Sequence, residues 1–112
     1  MGGSFCTAAN CMDGRVQIPV IKYLQDRMGV AYVDMITGDG PVRSLGGTAD
    51  PRMKAALLRR IGVSVRAHES RAVAVVAHAD CAANQVPDEQ QRRELAVAVE
   101  EVARAFPAAT VL

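Results

Sequence analysis

The segments Cys11-Met12-Asp13-Gly14-Arg15 and, far downstream, His78-Ala79-Asp80-Cys81 hold the side chains of this sequence best suited to chemistry. They supply two thiols and an imidazole, with a carboxylate and a guanidinium beside the first thiol. A catalytic zinc ion takes three protein ligands of these types and keeps a fourth position for water or substrate. The residues therefore point to Cys11, His78 and Cys81 as ligands of one Zn2+, with Asp13 and Arg15 as the catalytic pair that manages the open position. Asp13 can accept a hydrogen bond from zinc-bound water, or it can coordinate the metal itself and close the site. Arg15 offers a bidentate partner that would draw Asp13 off the metal. Hydroxide on zinc would then attack the central carbon of a small linear substrate in an apolar pocket. Two thiolates cancel the formal charge of the ion, so activity is expected to rise towards alkaline pH.

Each residue type alone has a plainer reading. A single cysteine is more often a small buried hydrophobe, and an Asp–Arg pair is often an architectural ion pair. The combination is what points to a metal. Cys6 reads as core, although a disulfide with Cys11 would disarm the site. His68 reads as a solvated helix residue, and Arg59, Arg60, Arg92 and Arg93 as exposed helix charges. Asp80, between two ligands, reads as a loop-orienting or turn residue.

The elements that must position these groups are bounded first by composition. The 112 residues suit one domain spanning 1–112. Half the residues are apolar and the formal net charge is +1, so the basic stripe of a nucleic-acid-binding domain is missing and none is expected as a partner. No apolar run reaches the length of a membrane span, and the Met-Gly-Gly-Ser start lacks the features of an export signal. A soluble cytoplasmic protein is expected, with no membrane partner. Three cysteines in such a chain argue for metal binding or chemistry over a disulfide framework.

Residues 4–9 read as a short buried strand leading into the Cys11 segment. A helix is predicted over 19–28, opened by Pro19, with Ile18, Ile21, Leu24 and Met28 at near-helical spacing and Gly29 ending it. Residues 31–37 read as a second strand, and Gly38-Asp39-Gly40-Pro41 opens a loop running through Gly47. Asp50-Pro51 starts a helix with Met53, Leu57, Leu58 and Ile61 on its apolar face and Gly62 bending or ending it. The run 72–77 (AVAVVA) suits a strand buried on both faces, delivering His78 and Cys81 at its carboxyl end. The last helix begins at Pro87-Asp88-Glu89, presents Leu95, Val99, Val102 and Phe106, and stops at Pro107 before a fourth strand in 108–112. Strands alternating with helices imply an α/β fold: three layers, with a mainly parallel sheet of about four strands flanked by helices. Ligands of such sheets bind beyond the strand carboxyl ends, where both motif halves fall.

The pattern C-x-D-x-R followed by H-x-x-C, matched by Cys11, Asp13, Arg15, His78 and Cys81, resembles that of the β-class carbonic anhydrases. The likeness extends from Phe5 to Asn84 and departs at Gly14, where serine is common, and at Ala82, where glycine is usual. The resemblance implies a zinc lyase, a carbonate dehydratase that interconverts carbon dioxide and bicarbonate, and assembly as a homodimer or higher homo-oligomer. The same ligand set leaves open a hydrolase of carbonyl sulfide or carbon disulfide, as in relatives with this fold, or a non-catalytic zinc-binding domain. A thiol redox protein using Cys6 and Cys11 is a further alternative.

Overall fold

The computed structural model describes residues 4–47 and 50–112. Its elements are β1 (Phe5–Cys11), α1 (Ile18–Met28), β2 (Tyr32–Gly38), α2 (Pro41–Leu45), α3 (Pro51–Ala67), β3 (Ala72–Val75), α4 (Asp88–Ala105) and β4 (Thr110–Val111), with a 3₁₀ turn at Gly14–Val16. The strands form one sheet in the order β2-β1-β3-β4, and each neighbouring pair is parallel. This is the expected α/β architecture.

β1 is central because its sequence permits it. The run FCTAANC has small side chains on both faces, and residues 6–11 are all buried. Alternation then divides the core. Ala9 joins Val73 and Val75 beneath α2, α3 and α4, through Val42, Leu45, Leu57, Ile61, Ala98 and Val102. Cys6, Ala8, Ala72 and Ala74 face the other way, onto Leu24 of α1. The chain steps from β1 to β2 in one direction and then returns past β1 to β3. Putting α1 on one face and α3 and α4 on the other keeps every crossover the same hand. The reversal makes the gap between β1 and β3 a topological switch point, where side chains at the two carboxyl ends converge.

Several expectations are corrected. The predicted loop 38–47 contains α2, and Gly38 itself ends β2, paired with Cys11. Pro41 occupies the first turn, and Val42 and Leu45 are buried, so packing rather than propensity makes this short helix. α3 runs through Gly62 to Ala67 because Leu57, Ile61 and Ser64 all bury on one face, outweighing the cost of about 1 kcal/mol for a helical glycine. Ile18 is exposed, leaving Leu24 as the buried residue of α1. The buried stripe of α4 is Gln91, Glu94, Ala98 and Val102, and Leu95, Val99 and Phe106 pack half-buried at its edge.

His68 is also not a solvated residue. Its ring stacks on Phe5 with centroids 4.1 Å apart, and Nδ1 lies 2.6 Å from Asp34 Oδ2. The same carboxylate oxygen accepts from Ser64 Oγ at 2.6 Å, and Ser64 lies 2.6 Å from Thr7 Oγ1. These contacts fasten the amino end of the sheet, away from the motif residues. Arg60 is half-buried and donates to the Thr37 carbonyl at 3.2 Å.

Candidate metal centre

Cys11 is the last residue of β1, and His78 and Cys81 lie in the segment that follows β3. Because β1 and β3 are neighbours, all three side chains meet at the switch point. One ligand atom from each lies within 4.8 Å of the others, and Asp13 stands outside that group. The Cys11 and Cys81 sulfurs are 3.9 Å apart. Two thiolates on a tetrahedral zinc, each bonded at about 2.3 Å, would stand about 3.8 Å apart. The three residues line a cavity of about 10 Å³, roughly the space of one small probe sphere.

The ring of His78, which could serve as a ligand, is fixed by its own neighbour. Nδ1 lies 2.9 Å from the Ala79 carbonyl oxygen, which can only accept, so Nδ1 carries the proton and Nε2 presents a lone pair. That Nε2 is buried and has no hydrogen-bond partner. A histidine ligand fixed through its other ring nitrogen is the usual arrangement in metal sites.

The thiols are also set apart. Burial pushes the Cys11 thiol up. The backbone N–H groups of Asp13 and Gly40, with His78 and Cys81 close by, outweigh it, so its pKa is lowered. Burial raises Cys81, against a hydrogen bond from the Ala83 backbone, and the neighbouring Cys11 raises it further. Cys11 is therefore the first to ionise. A cation between the sulfurs would favour the second thiolate, because metal ligands must be deprotonated. The donor set and its spacing fit a divalent metal of the zinc type.

Asp13 caps the 3₁₀ turn, accepting from the Arg15 backbone N–H at 2.8 Å. Arg15 then grips the same carboxylate, through Nε to Oδ1 at 3.1 Å and Nη2 to Oδ2 at 2.6 Å. Those bonds hold the Asp13 carboxyl well below the usual range. Arg15 also reaches across to the second motif half, donating to the Asp80 carbonyl at 3.2 Å and to its carboxylate at 3.4 Å. Asp80 has a left-handed backbone, φ 56°, and turns its carbonyl towards Arg15. Gly14, where the resemblance departs, has open space around the position of a Cβ.

Cys6 is a free buried thiol on the opposite face of β1 from Cys11. Five residues of strand separate the two by about 16 Å, beyond the reach of a disulfide. That removes the redox reading of the pair.

Some supports carried no signal in the sequence. Gln17 Nε2 donates to the Cys11 carbonyl at 2.7 Å and to the Asp13 carbonyl at 3.1 Å. Gln91 Nε2 donates to the His78 carbonyl at 2.9 Å. The left-handed Gly40, read only as a strand breaker, turns its backbone towards the Cys11 thiol.

No described helix is long and apolar enough to cross a membrane. Comparison with curated proteins and with solved structures gave no match. The family described as Putative carbonic anhydrase matches residues 1–112. A match over that span, around a Cys–His–Cys group able to hold a metal ion, makes this chain a member of that carbonic anhydrase-like family.

Proposed function

We propose that Cys11, His78 and Cys81 hold one Zn2+ and that the chain catalyses the reversible hydration of carbon dioxide to bicarbonate. The observation that carries the reading is the 3.9 Å approach of two thiols beside a buried, unpartnered His78 Nε2. When bound, zinc in such a site acts as a Lewis acid that lowers the pKa of water.

The chain's own residues supply the rest. Asp13, kept ionised by Arg15, holds no proton at neutral pH and serves as a hydrogen-bond acceptor that orients water. Arg15 commits its backbone N–H, Nε and Nη2 to that carboxylate, which keeps it from the fourth metal position. A cavity of about 300 Å³ beside His78 has Ala77, Ala79 and Leu95 in its walls, and Asp88 and Arg92 also line it. Its apolar walls suit carbon dioxide, and the Arg92 guanidinium suits the anionic product. We also infer a cytoplasmic homodimer. Exposed Tyr23 on α1 borders a cavity of about 590 Å³ walled by Val20, Val76 and Leu112, an apolar surface suited to a second copy.

Stopped-flow hydration of carbon dioxide at alkaline pH, on protein loaded with Zn2+, checks the reading. The expected rate is well above buffer and is lost in Cys81→Ser. A flat trace with zinc retained overturns the carbon dioxide step and shifts the reading to a sulfur analogue or a non-catalytic metal domain. A chain that takes up no zinc overturns the ligand set.

A further inference from the structure

Two of the three candidate ligands, His78 and Cys81, lie in residues 76–87, which have no helix or strand. Such a segment positions ligands only as well as the side chains that hold it. α4 supplies two from successive turns. Gln91 Nε2 donates to the His78 carbonyl at 2.9 Å, and Glu94 Oε1 accepts from Asn84 Nδ2 at 2.8 Å. Asn84 in turn donates its backbone N–H to the Cys81 carbonyl at 3.1 Å. Gln91, Glu94 and Asn84 are 9%, 6% and 5% exposed. Buried amides and carboxylates are costly unless they find partners, and the partners shown here lie in the ligand segment. Gln91 lines both the small cavity between the ligands and the larger one beside His78. It is a wall common to both.

We infer that Gln91 and Glu94 are positioning residues of the metal centre, holding the ligand segment at both ends so that His78 and Cys81 meet Cys11. This rests on the zinc reading above. Neither residue belongs to the Cys–His–Cys group; Gln91 acts through the His78 carbonyl and Glu94 through Asn84, whose N–H holds the Cys81 carbonyl. Without the Gln91 amide the His78 carbonyl loses its tether, and the ligand set is no longer preorganised. The hydrophobic core under α4 is untouched by that change.

Zn2+ affinity measured by competition with a chromophoric chelator tests this, in wild type, Gln91→Met, Glu94→Gln and Val102→Ala. Apo melting temperatures are taken alongside. Val102 is buried in the core on α4, so its truncation reports what loosening the helix alone does. Gln91→Met is expected to weaken Zn2+ binding by about 10–100-fold, the range typical for groups that orient ligands. The thiolate charge-transfer bands of the Co2+-loaded protein should shift as well. Val102→Ala should keep its affinity despite an equal or larger fall in apo melting temperature. Glu94→Gln keeps an acceptor for Asn84 but loses the charge, so a smaller loss in the same direction is expected.

Wild-type affinity in Gln91→Met, or an equal loss in Val102→Ala, overturns the inference while leaving the zinc site standing. If Gln91→Met fails to fold without metal, unchanged affinity in Glu94→Gln overturns it instead. A wild-type chain that binds no Zn2+ overturns both this and the reading it rests on.

Discussion

Asp13 and Arg15 show how far a residue's role depends on its immediate partner. An aspartate two positions from a thiol could ligate a metal or cap a turn. Here it caps the turn at Gly14–Val16, and Arg15 closes over both carboxylate oxygens. The side-chain hydrogen bond from Arg15 is the largest influence on the Asp13 carboxyl, lowering it, with the backbone N–H of the same residue second. A carboxyl lowered in the folded state adds stability above its unfolded pKa. That contribution is lost as pH falls through the folded value. Arg15→Met should move the Asp13 titration, followed by carboxyl carbon NMR in the metal-free protein, upwards towards the ordinary carboxylate range. An unchanged titration would mean that the turn's backbone alone holds the charge, and the role proposed for Arg15 in keeping Asp13 ionised would fall. His78 makes the same point by its tautomer. The Ala79 carbonyl fixes the proton on Nδ1, and no sequence pattern encodes that choice.

The elements differ in how much of each was legible. The run 72–77 that carries β3 is apolar throughout and bounded by Arg71 and His78, and α3 opens on Asp50-Pro51 with the cap in place, Asp50 accepting from the Arg52 N–H at 2.9 Å. Those signals are local, so the sequence carries them. α2 has no such signal. Five residues cannot display a period, and its glycine and proline neighbours resemble a loop. It exists because Val42 and Leu45 bury and because Gly46 lets its end approach α4. A Cβ on Gly46 would stand 2.9 Å from the Val42 carbonyl oxygen and 3.0 Å from that of Glu94. Both obstacles are backbone. Gly46→Ala should therefore force α2 and α4 apart and cost about 1–3 kcal/mol, the usual range for overpacking, measured by urea unfolding. A cost near zero would show that the seam yields. α4 was misread for a related reason. Its apolar residues suggest a face through Leu95 and Val99, but the buried stripe contains Gln91 and Glu94, each of which bonds to a residue of the ligand segment.

For the molecule as a whole, the site is a consequence of topology. Cys11 and Cys81 are distant in sequence and become neighbours because β1 and β3 pair and the chain reverses its direction of travel there. The fold class could be read from alternating elements. The convergence of the motif halves could only be expected from the rule that strand ends gather ligands. α3 and α4 cover the sheet on the same face, and Lys54 on α3 reaches Glu101 on α4 at 2.9 Å, each about a quarter exposed. The hydrogen bond from Lys54 is the main cause lowering the Glu101 pKa, against some burial and with help from Arg104. The stabilisation from that pair should be complete above the unfolded glutamate value of about 4.3 and vanish as pH falls through the lower folded value. Urea midpoints of wild type and Lys54→Met should therefore differ at neutral pH and converge in acid. Comparing the two proteins at each pH cancels the other carboxylates, whose titrations they share. A gap that stays constant from neutral to strongly acid pH would mean that Lys54 stabilises through its aliphatic stem against α4, and the two helices would be joined by packing alone.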